Sequence, residues 1–358
     1  MKRLCLILAG GVALFALASV AQQSQNSGPY KILKTAKTGG AGGFDYIYAD
    51  ADGRRLYIPR RNPSRVTVFN LDTLEPAGEI PNTGAAGAAV STKSGHGFAT
   101  SRPVAMWDTK TMMLIKTIDV QGGPDGILYD TFNDRVYILS HSAPNATVID
   151  AADGSVLGTI DLGGAPEQAV TDGKGHLYVD IEDKANIAVV DAKTMAVTAH
   201  YDLAGKGGTC AGLAMDVKNN ILFAACRNPQ TMVILNAGDG KILETLPIGN
   251  GTDGAVFNPN TMEAFSSQRD GTLTIVKENS PTSFVVEQNL QTMTGAKTLT
   301  LDKKTNRIFL MAVEYAAPAA TPTPTPAPGA APGGRGGRGG GGQGQQVPDS
   351  FTIIEVGK

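Results

Sequence analysis

The hydrophobic residues of this chain fall in short runs rich in β-branched and aromatic side chains, and Gly, Asp, Asn or Pro bounds each run. Between Gly122 and Gly163 four such runs follow one another: Gly126–Asp130, Arg135–Leu139, Ala146–Asp150 and Ser155–Leu162. The residues inside the runs favour strands, and the bounding residues favour turns. This stretch therefore predicts four short strands joined by tight turns.

The same pattern recurs along the whole chain. An aromatic residue in the second strand marks each copy, at Tyr57, Phe98, Tyr137, Tyr178, Phe223, Phe265 and Phe309. Successive aromatics lie 39 to 45 residues apart, and an apolar third strand follows each of them. A repeat of this length with four strands per unit is typical of a β-propeller. We predict an all-β fold, a seven-bladed β-propeller with four-stranded antiparallel blades.

The two ends of the chain are predicted to close the ring. The last copy ends on its third strand, Phe351–Lys358, and has no fourth strand of its own. The N-terminal segment Tyr30–Thr35 resembles the fourth strands of other copies, such as Leu114–Ile118. We expect this N-terminal strand to join the last blade, because such closure protects sheet edges and holds both termini. The propeller then spans residues 30–358.

The first residues predict an exported protein. A basic start precedes the apolar run Leu4–Ala18, and the small residues Ser19 and Ala21 stand where signal peptidase requires them. We predict a signal peptide over residues 1–21, cleaved before Gln22, and a flexible N-terminus over residues 22–29. The apolar run is too short for a permanent anchor. The mature chain is therefore expected to be periplasmic or secreted, without a transmembrane span.

A low-complexity insertion interrupts the last copy over residues 314–348. It is rich in Pro, Ala and Thr at first and in Gly and Arg afterwards. Such a composition cannot form a core, so we predict a disordered surface segment within the last blade. Its two Arg-Gly-Gly steps resemble nucleic-acid-binding tails, but two arginines neutralise too few phosphates for tight binding. With a formal charge of −2, nucleic acid is not an expected partner.

Two cysteines remain after removal of the signal peptide. Cys210 and Cys226 flank the first hairpin of the fifth copy at equal distances from its turn. That spacing places them opposite each other on adjacent antiparallel strands. In an oxidising compartment we expect them to form a structural disulfide.

The repeats resemble the YVTN-repeat (YncE-like) seven-bladed propellers of bacterial envelopes. The resemblance lies in the Gly-Gly-Pro-Asp-Gly run at 122–126, in Tyr137-Ile138-Leu139-Ser140, and in Thr147-Val148-Ile149-Asp150 with the Gly-Thr-Ile-Asp-Leu-Gly-Gly string that follows at 158–164. It implies an envelope propeller. It implies little about activity, since similar repeats occur in binding proteins, surface-layer proteins and some enzymes.

Two rings of polar residues are predicted at one mouth of the central channel. Counting back from the aromatics gives an inner ring at the start of the innermost strands: Asp45, Asp125, Glu167, Asp253 and Lys297. Counting forward gives a mainly basic outer ring in the loops between second and third strands: Arg61, Arg102, His141, Arg227 and Arg269. Glu182 occupies the outer position in the fourth copy. In propellers both kinds of loop share one face, so we expect the two rings to lie together.

Three interpretations of these rings stay open. The carboxylates can end turns while the arginines pair with them and hold blade to blade. The arginines can instead bind a carboxylate or phosphate of a small molecule, a peptide or an envelope polymer. The carboxylates Asp45, Asp125, Glu167 and Asp253 can also bind a divalent cation such as Ca²⁺ with their oxygens, as a metal-dependent hydrolase or lactonase would need. Lys297 would repel such a cation.

The sequence favours an exported, non-catalytic binding or scaffold protein of the cell envelope, with its ligand on the channel-mouth face. We expect a monomer without a resident cofactor. One alternative is a metal-dependent hydrolase or lactonase with a cation in the channel. The other is a structural surface-layer module, whose contacts would lie on the blade sides or on the insertion.

Overall fold

A computed structural model describes residues 27–40, 42–316 and 345–358 of the chain. The described residues form 28 strands in seven four-stranded sheets, with one 3₁₀ turn at Glu182–Lys184. The predicted all-β, seven-bladed propeller is confirmed. The predicted signal peptide and most of the low-complexity insertion lie outside the described residues.

Six blades run from an innermost to an outermost strand in chain order, and the seventh takes the N-terminal strand as its outermost strand. The first three blades comprise β2 (Tyr48–Asp50), β3 (Arg55–Arg60), β4 (Arg65–Asn70) and β5 (Pro76–Pro81); β6 (Ala88–Ser91), β7 (His96–Ala99), β8 (Val104–Asp108) and β9 (Leu114–Ile118); β10 (Pro124–Asp130), β11 (Arg135–Ser140), β12 (Asn145–Asp150) and β13 (Val156–Asp161). The next three comprise β14 (Pro166–Thr171), β15 (His176–Ile181), β16 (Asn186–Asp191) and β17 (Ala196–Asp202); β18 (Cys210–Asp216), β19 (Ile221–Arg227), β20 (Gln230–Asn236) and β21 (Ile242–Pro247); β22 (Thr252–Asn258), β23 (Glu263–Gln268), β24 (Thr272–Ser280) and β25 (Ser283–Gln291). The seventh comprises β26 (Thr298–Asp302), β27 (Arg307–Ala312), β28 (Thr352–Gly357) and the N-terminal β1 (Lys31–Lys37).

The core lies between neighbouring blades. The repeat-marking aromatics are all buried in the second strands of their blades. Side chains of adjacent sheets interdigitate; Tyr137 and Leu139 of the third blade, for example, pack with Leu177 and Val179 of the fourth. The core of the described residues therefore consists of seven apolar clusters, one between each pair of neighbouring blades.

The ring closes as the sequence predicts. Strand β1 pairs antiparallel with β28, from Lys31 opposite Gly357 to Lys37 opposite Thr352. Both ends of the chain also contact the sixth blade, because the Tyr30 hydroxyl donates to Glu263 and the Lys358 Nζ lies 2.7 Å from the same carboxylate. We call this set of contacts the closing latch.

The disulfide between Cys210 and Cys226 is present in the fifth blade. The two residues face each other in the register of β18 and β19. This confirms the pairing predicted from their equal distances to the hairpin turn. The bond lies within the blade and its sulfurs are buried, so its role is structural.

Two buried carboxyl groups meet between the fifth and sixth blades. Asp216 and Glu278 are both almost fully buried, and the Oδ2 of Asp216 and the Oε2 of Glu278 have no hydrogen-bond partner among the described residues. The other Glu278 oxygen accepts a bond of 2.7 Å from Asn219. Burial, with the nearby Asp216, raises the pKa of Glu278 to about 7. One proton shared by the pair would satisfy both remaining oxygens.

Candidate functional site

β-Bulges aim three of the predicted carboxylates at the channel mouth. In the third, fourth and sixth blades the register between first and second strands shifts by one residue near the start of the first strand. The extra residues there include Asp125, Glu167 and Asp253. A bulge bends its strand and redirects a side chain, which explains why these acids face the opening. Gly126 permits this geometry, because a Cβ there would lie 2.6 Å from the backbone oxygen of Glu167.

The two predicted rings lie in two tiers on one face. The inner carboxylates and Lys297 are 9–22% exposed, whereas the arginines and the histidine of the outer ring that form ion pairs are 27–54% exposed. The acids therefore form a partly buried floor, and the outer cations lie above it. Charges held this far from water interact more strongly than surface charges do.

A chain of ion pairs joins several blades around the mouth. The Arg61 guanidinium lies 3.2 Å from Asp45 and 3.0 Å from Asp125, and so joins the first and third blades. The Lys297 Nζ lies 2.9 Å from Asp45 and also contacts Asp253. Three of these four bridges connect residues from different blades, whereas Arg61 and Asp45 both belong to the first blade. These contacts support the interpretation in which the rings hold the propeller together.

Asp253 is the centre of the network. Its carboxylate accepts hydrogen bonds from Lys297, from Arg227 and, at 3.3 Å, from Arg269. Arg227 continues the chain to Glu182, whose Oε1 lies 2.6 Å from the guanidinium. The nearby charges of Asp253 and Glu182 raise the pKa of Arg227 despite the opposing effect of burial.

A histidine and a second glutamate continue this network beyond Glu182. The His141 Nε2 lies 3.1 Å from Glu182 and 3.7 Å from Glu167. Glu167 also accepts a hydrogen bond of 2.8 Å from the hydroxyl of Tyr46, which reaches it across the channel from the first blade. These contacts join the first, third and fourth blades, and we call His141, Glu167 and Glu182 the mouth triad.

The triad has perturbed protonation. Burial is the main cause that raises the pKa of Glu167 to about 7, and repulsion from Glu182 adds to it while the Tyr46 hydrogen bond opposes it. Burial alone would lower the pKa of His141, but its hydrogen bond to Glu182 and the charge of Glu167 raise it. Two groups with displaced pKa values in one opening are typical of functional sites, although structural ion pairs produce them as well.

Two contributors to this face are not among the residues predicted to bind a ligand. Glu182 occupies the outer-ring position of the fourth copy, but it is acidic, whereas the outer ring is predicted to be mainly basic. Tyr46 directly follows Asp45 in the sequence, and nothing in the repeat pattern indicates that its hydroxyl reaches the fourth blade. Of the predicted residues, Arg102 is exposed beside Gly123 and does not take part in the ion-pair chain of the described residues.

The ion pairs of the inner carboxylates affect where a divalent cation could bind on this face. Asp45, Asp125 and Asp253 each contact Lys297 or an arginine. Within the part of the chain that the structure describes, the group of ligand atoms close enough to share an ion is the mouth triad. Glu167 alone belongs both to this triad and to the four carboxylates predicted as metal ligands. Cation binding itself stays a prediction.

The central channel lies beneath this face and has a volume of about 630 Å³. Tyr46 and Glu167 bound it at the mouth, and it extends to turns at the other end, where Thr131 and Lys303 line it. Gln168 connects three blades inside the channel, because its Oε1 accepts hydrogen bonds from the backbone amides of Leu213 and Ala255, each at 3.0 Å.

Within the described residues, no helix is long and apolar enough to cross a membrane.

Comparison with known proteins identifies the architecture. No family model matches the chain, and no curated protein matches it in sequence. A solved structure titled Kuenenia stuttgartiensis hydrazine synthase is similar, with a TM-score of 0.65 and 15% identity over 74% of this chain and 91% of that chain. A chain of a mitotic checkpoint complex is also similar, with a TM-score of 0.68 and 12% identity over 79% of this chain and 89% of that one. At such low identity these likenesses show the propeller fold alone, and the resemblance to YVTN-repeat proteins stays a prediction.

Proposed function

We propose that the chain is an exported binding propeller that holds a carboxylate-bearing partner on its channel-mouth face. The observation that carries the proposal is the arrangement of exposed arginines above a neutralised acidic floor. We call the exposed guanidiniums of Arg61, Arg102 and Arg269 the basic collar. They come from the first, second and sixth blades and are the outermost charged groups of the two rings.

The ion pairs preorganise the collar. Arg61 is fixed by Asp45 and Asp125, and Arg269 is fixed by Asp253. About half of each of these two arginine side chains nevertheless stays exposed, at 54% and 49%. A guanidinium has five donors, so one that already contacts a carboxylate can still bind a second from solvent. Little side-chain entropy is then lost when the ligand binds.

The same pairing argues for binding rather than for catalysis at Asp45, Asp125 and Asp253. A carboxylate that contacts a lysine or an arginine already has its charge compensated by the protein and is a poor cation ligand. Its contacts instead hold different blades together around the opening. Binding by a rigid face is consistent with a propeller that acts as a scaffold, since this fold varies its loops on constant strands.

Export is the second part of the proposal. Its support is the signal-like sequence over residues 1–21 together with the Cys210–Cys226 disulfide, which persists in oxidising compartments. Mass spectrometry of the protein recovered from a bacterial periplasm should show a chain that starts at Gln22. A chain that retains Met1 in the cytoplasm would contradict export.

Binding is tested with a defined polycarboxylate. The mature chain is titrated into fluorescein-labelled hexaglutamate, and fluorescence anisotropy is followed at low and at physiological salt. We expect saturable binding that weakens with salt, because exposed charges are screened. The double variant Arg61→Ala/Arg269→Ala should weaken it at least about tenfold, since hydrogen bonds to charged groups contribute about 1.5–3 kcal/mol each.

A matched control separates the collar from general positive charge. Arg54 is also an ion-paired arginine, with Asp72 and Asp302, but it lies in the turn between the first and second strands, at the other end of the blade. Arg54→Ala should leave hexaglutamate binding unchanged. If the collar variant binds as well as the wild type, or if the wild type shows no binding, the proposal is refuted and the surface-layer alternative is favoured.

A further inference from the structure

We propose that the mouth triad, His141, Glu167 and Glu182, is a binding site for one divalent transition-metal ion, with Zn²⁺ as the best match. This site is independent of the basic collar, whose arginines it does not use. It also differs from the four-carboxylate cation site that the sequence predicts. The inference rests on the convergence of the ligand atoms, on the contacts that orient them and on a buried acid beside them.

The ligand atoms converge from two blades. His141 lies in the loop after β11 of the third blade, Glu167 lies in the bulge of β14, and Glu182 directly follows β15 in the fourth blade. One ligand atom of each residue lies within 4.8 Å of the corresponding atoms of the other two. Ligands of one Zn²⁺ ion bond at about 2.0–2.2 Å, which places them about 3–4 Å apart, so small side-chain rotations suffice.

The second oxygen of each carboxylate is already occupied by a donor. The Tyr46 hydroxyl donates to the Oε2 of Glu167, and Arg227 donates to the Oε1 of Glu182. The remaining oxygens, Oε1 of Glu167 and Oε2 of Glu182, are the ones that face the Nε2 of His141. Metal-binding carboxylates typically have such outer partners, which fix the direction of the ligating oxygen.

A fully buried acid lies next to the triad. The bulge that contains Glu167 and Gln168 lies opposite Asp180, since Pro166 pairs with Ile181 and Ala169 pairs with Val179. Asp180 has no exposed surface, and neither of its carboxylate oxygens has a hydrogen-bond partner among the described residues. A buried carboxyl without a partner is costly. A cation bound at the neighbouring glutamates would offset the cost of burying this carboxyl group.

The donor set indicates the class of metal. One imidazole with two carboxylates suits Zn²⁺ and neighbouring transition metals, whereas Ca²⁺ and Mg²⁺ prefer oxygen ligands alone. Three protein ligands leave at least one coordination position for water or for an anionic group of a partner. The competing interpretation is a purely electrostatic triad, in which a protonated His141 takes the place of the metal between the two glutamates.

The test is calorimetric titration of ZnCl₂ into the tag-free mature chain after treatment with EDTA, without any anionic ligand present. We expect saturable uptake of one equivalent. His141→Ala and Glu182→Gln should each weaken it on the order of 100-fold or abolish it. Tyr46→Phe should weaken it on the order of tenfold, the usual effect of losing an outer partner. Co²⁺ substitution provides a second readout, because its visible absorption reports the coordination geometry.

The matched control is His176→Ala. His176 is the first residue of β15, and its Nδ1 lies 2.9 Å from Asp172 in the preceding turn. This pair does not belong to a group of three close ligand atoms among the described residues. Zn²⁺ uptake should be unchanged in this variant. Absence of one-equivalent uptake, or uptake that depends on His176 and not on His141, overturns the proposal. If His141→Ala does not fold by circular dichroism, His141→Gln and Glu167→Gln take its place.

Discussion

Replacement of Asp253 by Asn tests whether the channel-mouth network stabilises the propeller. Asp253 is 9% exposed and contacts Lys297, Arg227 and Arg269. Asn has nearly the same size and still accepts a hydrogen bond, so the substitution removes charge without creating a cavity. Three cations then lose their common counter-ion in a partly buried site.

The expected loss follows from the contacts that remain. Removing one partner of a buried ion pair costs about 3–5 kcal/mol, because the other charge is left uncompensated. Here Lys297 keeps Asp45, Arg227 keeps Glu182, and Arg269 is half exposed. We therefore expect the lower end of the range, a decrease of about 3 kcal/mol in the free energy of unfolding.

Asp125→Asn is the matched control. Asp125 contacts Arg61, which is 54% exposed and keeps Asp45 as a second partner. An exposed pair of this kind contributes about 0–1 kcal/mol, so this variant should be nearly as stable as the wild type. Both are measured by equilibrium unfolding in urea at pH 7, in 50 mM and in 1 M NaCl. High salt should reduce the effect of Asp253→Asn only slightly, since buried pairs are weakly screened.

A gain in stability for Asp253→Asn would refute the reasoning. It would mean that desolvation of the acid exceeds its attraction to the three cations. The acids would then be retained at a cost in stability, which is the behaviour of a functional site. Equal losses for Asp253→Asn and Asp125→Asn would instead show that burial does not set the strength of these pairs.

Three further perturbations probe other contacts. The pKa of Glu278 is raised from 4.5 to about 7, so its contribution to stability is fully present below pH 4.5 and is lost as the pH rises through about 7. Glu278→Gln should therefore be about 3 kcal/mol more stable than the wild type at pH 8 and within about 1 kcal/mol of it at pH 5 in urea unfolding. Deletion of Tyr30–Thr38 removes β1 and the Tyr30 contact of the closing latch, and should sharply lower the melting temperature. Replacement of Cys210 and Cys226 by Ser opens a loop of 16 residues, and should lower the free energy of unfolding by about 3 kcal/mol.

Each of the three perturbations has a control variant or an outcome that would contradict the prediction. Glu244→Gln, an exposed glutamate on the fifth blade, should show no such change between pH 5 and pH 8. An unchanged melting curve after removal of the N-terminal strand would disprove ring closure as a source of stability. Reduction of the wild type should reproduce the loss seen in the double cysteine variant; if oxidised and reduced protein unfold at the same urea concentration, the disulfide contributes nothing.

The sequence alone determined the architecture because the relevant information is local and repeated. Each copy carries its own strand residues, turn residues and marking aromatic, and seven copies reinforce one interpretation. The disulfide followed for the same reason, since Cys210 and Cys226 belong to one hairpin. The two polar rings followed from fixed offsets to the aromatics. Closure followed from a missing fourth strand and a matching segment at the other end of the chain.

Only the tertiary structure decided which charges meet. Lys297 pairs with Asp45, and Tyr46 reaches Glu167, across different blades and across large separations in sequence. The outcome depends on bulges and on side-chain directions, which an offset count does not contain. Asp180 shows what the sequence pattern does not predict. It lies in an apolar strand pattern, and only the register of β14 and β15 places it beside the mouth triad. A repeat fixes the position of a residue on the ring, whereas its partner depends on how the blades pack around the axis.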